Sequence, residues 1–314
     1  AGRSGSVPFP LPLPNHLPLS PSSPLSTAQH RAEFIQRGMT GRHSTYRKQP
    51  SRGPGLLRRR NILRHERWND ALFLHYTVDA DELQAKLPAG LTVDNYRGTT
   101  LISIVALSEC GIEPVCPMAM LAWLLQPLRG SHHSVSVRTY VRPTNGNGPP
   151  GLYFFSLDCT SWLPSVFARV FLNLPYRLAQ MDRKCIVGHS FANDDSDSIP
   201  RFEIDSRRCK RTLLRCEPQA YFHAKWEPAS RAQPAEPGSL DEFVVERYCI
   251  YGKRRFQRAL WCGGIEHAPW PLQRANVKQL DTDILAVAGF TAARPIAAHH
   301  AACVVDVEVF SEPL

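Results

Sequence analysis

The 314-residue chain lacks most of the signatures that announce a chemistry. Its nine cysteines are scattered singly, odd in number and without a Cys-x-x-Cys pair. That excludes a secreted disulfide framework and a zinc ribbon, and points to reduced thiols in a cytoplasmic protein. Its longest clean apolar run, Met118 to Leu125, is eight residues. A bilayer-spanning helix needs about 20, so no membrane span is expected. No His-Glu-x-x-His, phosphate loop, Gly-x-Gly-x-x-Gly or Gly-x-Ser-x-Gly pattern occurs, so no metal and no cofactor are expected. The His132-His133 and His299-His300 pairs do not change this. On an extended strand, adjacent side chains point to opposite faces and cannot share one ion.

Acid is scarce in one region only. Residues 1–60 hold ten of the 37 basic residues and one of the 28 acidic ones, Glu33. The remaining 254 residues carry 27 of each. The net charge of +9 therefore belongs to the N-terminal segment, and the body offers no electrostatic case for nucleic acid. Nine of the 27 prolines also fall in residues 1–60. The expectation is a disordered basic Pro/Ser/Arg-rich tail, with an organelle-targeting segment as the alternative. A single domain is expected over 61–314.

In that body, Asp79-Ala-Asp-Glu82 reads as a helix start ended by Pro88. Leu101–Leu107 reads as a buried strand. Residues 134–142 and 151–159, joined across Asn145-Gly-Asn-Gly148, read as a hairpin. Helices are expected after Ser161, after Ser239 and at 282–288. Further strands are expected at 185–191, 201–208, 211–216, 220–226, 248–252, 258–266, 274–280 and 303–310. The fold class is α+β, predominantly antiparallel β.

Val137-Arg-Thr-Tyr-Val141, Leu152-Tyr-Phe-Phe-Ser-Leu-Asp158, Leu174-Pro-Tyr-Arg-Leu-Ala-Gln-Met181, Glu246-Arg-Tyr-Cys-Ile-Tyr251 and His267-Ala-Pro-Trp-Pro-Leu272 carry a resemblance. Together they resemble the YqjF-like family of uncharacterised proteins in the acetoacetate decarboxylase-like superfamily, from about Trp68 to Phe310. The resemblance implies a closed, cone-like antiparallel barrel around a cavity. In the decarboxylases of that superfamily the segment similar to 174–181 reads roughly Phe-Pro-Lys-Lys, and one lysine forms the Schiff base. Here Tyr176 and Arg177 stand there, and no lysine occurs from Ala89 to Arg183. Arginine stays charged and cannot form an imine. The family pattern Glu-x-Asn before Val-Arg-Thr-Tyr-Val is also replaced, by Ser134-Val-Ser136.

On an alternating strand Arg138 and Tyr140 share one face and Val137, Thr139 and Val141 the other. Facing a cavity, Arg138 is a planar fork suited to a carboxylate; facing water, it is an ordinary arginine. Tyr140, Tyr176 and Arg247 are the other candidate ligand-binding residues. Arg247 lies on the apolar stripe of its helix, so it needs a buried acid or a ligand as partner. Asp158 is expected to share a face with Phe154 and Ser156, where it meets Arg138 or Arg169, or else caps a helix. His267, Tyr176 and Asp158 are the candidate catalytic groups. His267 sits in an aromatic turn that also suits a barrel plug, and His75 reads as a hydrogen-bonded core histidine. The leading reading is binding of a small anionic or carbonyl ligand, with a carboxylate favoured. Acid–base chemistry on a keto acid or lactone comes second, and nucleic-acid or partner binding through the tail third. A homo-oligomer is left open.

Overall fold

The computed structural model describes residues 61–115, 129–171, 173–186, 199–210, 216–253 and 260–311. Among them are twelve strands: β1 (Asn61–Thr77), β2 (Leu91–Val93), β3 (Leu101–Pro114), β4 (Gly130–Pro143), β5 (Gly151–Cys159), β6 (Tyr176–Ile186), β7 (Arg201–Arg208), β8 (Tyr221–Pro228), β9 (Cys249–Lys253), β10 (Leu260–Glu266), β11 (Leu272–Thr282) and β12 (Arg294–Phe310). Four short helices accompany them: α1 (Ala80–Lys86), α2 (Trp162–Phe171), α3 (Leu240–Val245) and α4 (Ile284–Val287).

The pairing makes two closed rings with a common wall. β12, β1, β3, β4 and β5 pair in that order, all antiparallel. From β5, strands β6, β7, β8 and β11 lead back to β12 and close a nine-strand ring. Strands β9 and β10 also lead from β5 to β12 and close a seven-strand ring. Only the β5–β6 and β5–β9 seams are parallel. β5 forks because β9 takes its start at Leu152–Tyr153 while β6 takes its end at Leu157–Cys159.

The wall therefore has a core on each face. Ala71–Tyr76 in β1 is an unbroken buried run. Leu72, Leu74 and Tyr76 pack with Ile104, Val137, Phe222 and Trp226 on the nine-strand side. Ala71 and Phe73 pack with Val105, Tyr140, Phe154 and Trp270 on the seven-strand side. Each such large side chain stabilises by roughly 1.5–3 kcal/mol on burial. The protein is α+β and predominantly antiparallel β, a closed barrel with few short helices.

Asp79 caps α1 by accepting from the Glu82 amide at 2.9 Å, and Ser239 caps α3 from the Glu242 amide at 3.1 Å. The 134–142/151–159 hairpin forms as β4–β5. Of the strand expected at 185–191, residues 187–191 lie outside the described residues; 185–186 are the end of β6, which begins at Tyr176 where it docks alongside β5. The expected tail 1–60, the apolar run Met118–Leu125 and most of the expected strand 211–216 lie outside the described residues. Among the described residues no helix is long and apolar enough to cross a membrane.

Candidate functional site

One row of side chains crosses the wall on its seven-strand face. His75 of β1 stands opposite Ser103 of β3, Ser103 opposite Arg138 of β4, and Arg138 opposite Phe154 of β5. In the next row, His299 of β12 stands opposite Phe73, and Phe73 opposite Val105. Directly opposed residues on antiparallel strands share a face, so the topology alone brings two histidines, a serine and an arginine together.

His75 Nδ1 lies 2.8 Å from Ser103 Oγ, Ser103 Oγ lies 2.6 Å from Tyr140 Oη, and Tyr140 Oη donates to the Val244 carbonyl at 3.0 Å. A carbonyl only accepts, and this fixes every proton in the chain. Tyr140 gives its hydrogen to Val244, so its oxygen accepts from Ser103. Ser103 then accepts from His75, which carries its proton on Nδ1. Burial pushes the Tyr140 hydroxyl pKa up, in keeping with a donor. His75 is held well below the ordinary histidine range, first by burial and then by His299, Arg138 and Arg274. Its ring is neutral, and Nε2 keeps a bare lone pair. Nε2 is buried and has no hydrogen-bond partner among the described residues.

Arg138, like His299 Nδ1, is also unsatisfied among the described residues. Its guanidinium carbon sits 5.7 Å from the centre of the Phe73 ring. Its Nε and Nη2 are sealed from solvent without a hydrogen-bond partner among the described residues. Yet the residue keeps some accessible area, so a water-sized sphere still fits against it. The other buried arginines are held differently. Arg208 pairs with Asp158 at 3.0 Å, Arg247 with Asp94 at 2.9 Å, and Arg177 with Glu217, while Arg183 donates to the Asp70 carbonyl.

His267 belongs to the same neighbourhood. Its ring is 5.0 Å from Tyr248, 5.3 Å from Trp270 and 5.7 Å from Trp68. Its Nδ1 donates to the Ala268 carbonyl at 2.7 Å. Burial lowers its pKa to about 4, with the Ala268 bond opposing and the Arg138 charge adding to the fall. Trp270 is buried, stacks with Trp68 at 5.9 Å and meets Phe73 edge-on at 5.1 Å. The segment therefore plugs the chamber as well as bringing a histidine to it. α3 covers it elsewhere, with Val244 and Val245 in its core and Phe243 5.1 Å from the Tyr140 ring.

A surface pocket of about 230 Å³ reaches His299, in the neighbouring row, from outside. Asp241, Arg274, Ser239 and His299 are among its lining residues. His299 Nε2 is 3.2 Å from Asp241 Oδ1, and its ring is 5.2 Å from His75. His299 thus stands between the pocket and His75.

Of the residues singled out in the sequence, Arg138, Tyr140 and His267 come together, and Arg247 flanks them with its guanidinium carbon 5.6 Å from the Tyr140 ring. Asp158 does not join them. A bulge in β5 skips Phe155 in the pairing with β4, which leaves Leu157 rather than Asp158 on the Phe154 face. Asp158 pairs with Arg208 instead of Arg138 or Arg169, and Arg169 pairs with Glu217 at 2.7 Å. Arg247 lies past the end of α3 rather than on its apolar stripe, because the helix stops at Val245; it has its buried acid in Asp94, and its Nε donates to the Phe243 carbonyl at 2.8 Å. Tyr176 is the first residue of β6 and packs against the seven-strand core; burial, and then the charges of Glu109 and Cys159, push its pKa well up.

Glu109 anchors a separate buried network. It lies 3.3 Å from both His132 Nε2 and His65 Nδ1. Trp68 Nε1 donates to His65 Nδ1 at 3.1 Å, so that nitrogen carries no proton and His65 is neutral. Burial also lowers the His65 pKa, against the pull of Glu109. His132 takes the charge. Burial alone would lower it, but Glu109 and Cys159 raise it to about 10. Burial would raise Glu109, but His132, His65 and Ser134 bring it to about 2.

Reading by residue missed His75 Nε2, Ser103, His299 and Asp241. The available signal was alternation: His299 enters the seven-strand chamber, while His300 enters the nine-strand one, where its Nδ1 accepts from Trp226 at 3.2 Å.

Residues 65–306 match the family model DUF2071, an uncharacterized conserved protein family. The chain is 33% identical over 216 residues to the uncharacterized protein YqjF of Bacillus subtilis (strain 168), covering 67% of this chain and 75% of that protein. Similar solved structures include an acetoacetate decarboxylase-like enzyme from Sphingomonas wittichii RW1 (TM-score 0.48, 11% identity, 81% of this chain and 92% of that one). The enduracididine biosynthesis enzyme MppR complexed with pyruvate is another (TM-score 0.47, 13% identity, 83% and 92%). A third is the acetoacetate decarboxylase of Legionella pneumophila (TM-score 0.46, 12% identity, 84% and 91%). On its sequence match, this chain belongs to the DUF2071 family.

Proposed function

We propose that the protein binds a small anionic or carbonyl compound, a carboxylate above all, in the seven-strand chamber on Arg138, and forms no imine with it. The observation that carries this is the buried Arg138 fork, with Nε and Nη2 unpartnered among the described residues. A buried cation is costly unless something pairs with it, and a carboxylate matches a guanidinium in charge and shape. The lysines support the second half. Lys86, Lys184, Lys210, Lys253 and Lys278 are exposed and Lys225 is half-exposed, so none of these lines the chamber. Arg177, in the segment where an amine is needed, is tied to Glu217.

Thermal unfolding of the full chain with small keto acids, hydroxy acids and simple carboxylates tests the reading. Ligand at about 100 times its Kd stabilises by about 2.7 kcal/mol, which is roughly 5–10 °C for a domain of this size. The rise is expected to vanish in Arg138→Met. An equal rise in that variant, or no rise with any carboxylate, overturns the reading. Treatment with borohydride in the presence of pyruvate is expected to leave the mass unchanged. A stable adduct on a lysine overturns the exclusion of an imine.

A further inference from the structure

We infer that the ligand is a small hydroxycarboxylate, its carboxylate on Arg138 and its hydroxyl donating to His75 Nε2. This rests on the anion site proposed above and adds what His75 Nε2 requires; His299 Nδ1 is also unpartnered among the described residues, and its ring stands on the pocket side of His75. Two kinds of group lack partners here, and they are complementary in sense. Arg138 offers N–H donors. His75 offers a lone pair, because the relay through Ser103 and Tyr140 to the Val244 carbonyl leaves its only proton on Nδ1. A plain carboxylate satisfies the arginine and leaves Nε2 bare. A ligand with both an anionic acceptor and an O–H donor satisfies both.

The spacing sets the ligand's size. His75 and Arg138 stand in one row, separated by the Ser103 strand. Adjacent strands are about 4.8 Å apart, so the two backbones are roughly 10 Å apart, and both side chains reach inward from them. A ligand that bridges the two side-chain tips is therefore a compound of a few carbons. Phe73, Phe154 and Trp270 pack in the core on this face, and Nε2 is sealed from solvent. The groups that bear on His75 are Arg138, His299 and Arg274, with Asp241 behind His299. None of them supplies a donor to Nε2 in the structure. The relay also fixes the ring: rotating it to present a proton to the chamber breaks the bond to Ser103.

The test compares each linear carboxylate of two to six carbons with its 2-hydroxy counterpart, by calorimetry on the full chain. A hydrogen bond formed in a dry site contributes about 0.5–1.5 kcal/mol net, so the hydroxy acid is expected to bind up to about tenfold tighter than its parent. In His75→Phe the hydroxyl advantage disappears while the parent acid still binds. In Arg138→Met both are lost. The ¹⁵N signals of the His75 ring give a readout that does not depend on a variant folding. Nδ1 is expected to carry the proton in the free protein, and Nε2 to shift on adding the hydroxy acid but not its parent. If hydroxy and parent acids bind equally, or Nε2 carries the proton, this inference fails and the anion site stands. If no carboxylate binds, the anion site fails and takes this inference with it.

Discussion

Replacing Arg138 by methionine separates a structural arginine from one kept for a ligand. A structural arginine repays its burial through partners, and its loss destabilises the fold. Arg138 has little to repay it. Its Nε and Nη2 are buried without acceptors among the described residues, each costing about 1–3 kcal/mol. The contact with the Phe73 ring at 5.7 Å returns roughly 0.5–2 kcal/mol. Methionine fills similar length with an apolar, adaptable chain and places no charge between Phe73 and Phe154. Exchanges of buried charge for packed apolar side chains gain about 1–4 kcal/mol. At about 2–4 °C per kcal/mol for a domain of 150–250 residues, Arg138→Met is expected to melt roughly 2–16 °C higher than the unmutated chain without ligand. Thermal unfolding by circular dichroism measures this directly. A fall of several degrees refutes the reasoning, because it means the guanidinium is anchoring the wall.

Three further outcomes follow from contacts elsewhere. Glu109→Gln removes the acid that holds charged His132, and is expected to cost about 3–5 kcal/mol in urea unfolding near neutral pH. In the unmutated chain the pair makes stability pH-dependent in both directions. The His132 share is fully present below pH 6.5 and is lost as pH rises through about 10; the Glu109 share is present above pH 4.5 and is lost as pH falls towards about 2. Unfolding measured across that range is expected to lose both slopes in Glu109→Gln. Asp158→Asn strands Arg208, whose side chain is 2% exposed like its partner's, and is expected to cost about 3–5 kcal/mol; the double change to Asp158→Leu with Arg208→Met is expected to recover most of it. Gly151→Ala places a methyl 2.7 Å from the Cys249 carbonyl and 2.8 Å from the Tyr251 ring, at the parallel β5–β9 seam, and is expected to lower stability by about 1–3 kcal/mol by overpacking.

Local chemistry was legible wherever one face of an element differs from the other. The caps at Asp79 and Ser239 and the hairpin at 134–159 follow from turn and capping residues, and the structure has them. β1 was not legible as a strand. Ala71–Tyr76 is buried on both faces, so its sequence has no alternation to read. The site divided in the same way. Arg138 and Tyr140 were visible as polar residues alternating with valines. Asp158 was placed on the wrong face because a single bulged residue, Phe155, reverses the count along β5, and nothing local marks it. His75 was visible as a buried histidine, but its free nitrogen emerges only from a relay through three strands and a helix end.

The shared wall gives parity an unusual meaning in this molecule. In most sheets an odd or even position decides between core and water. Here it decides between two interiors, one holding Arg138, His75 and His299, the other Leu72, Val137 and Trp226. Neither address is cheap to leave. A deletion of one residue ahead of Arg138 in β4 would send its charge among the aliphatic side chains of the nine-strand chamber and Thr139 into its place. Insertions and deletions in these five strands should therefore be tolerated only in pairs, or beside a bulge that restores the count.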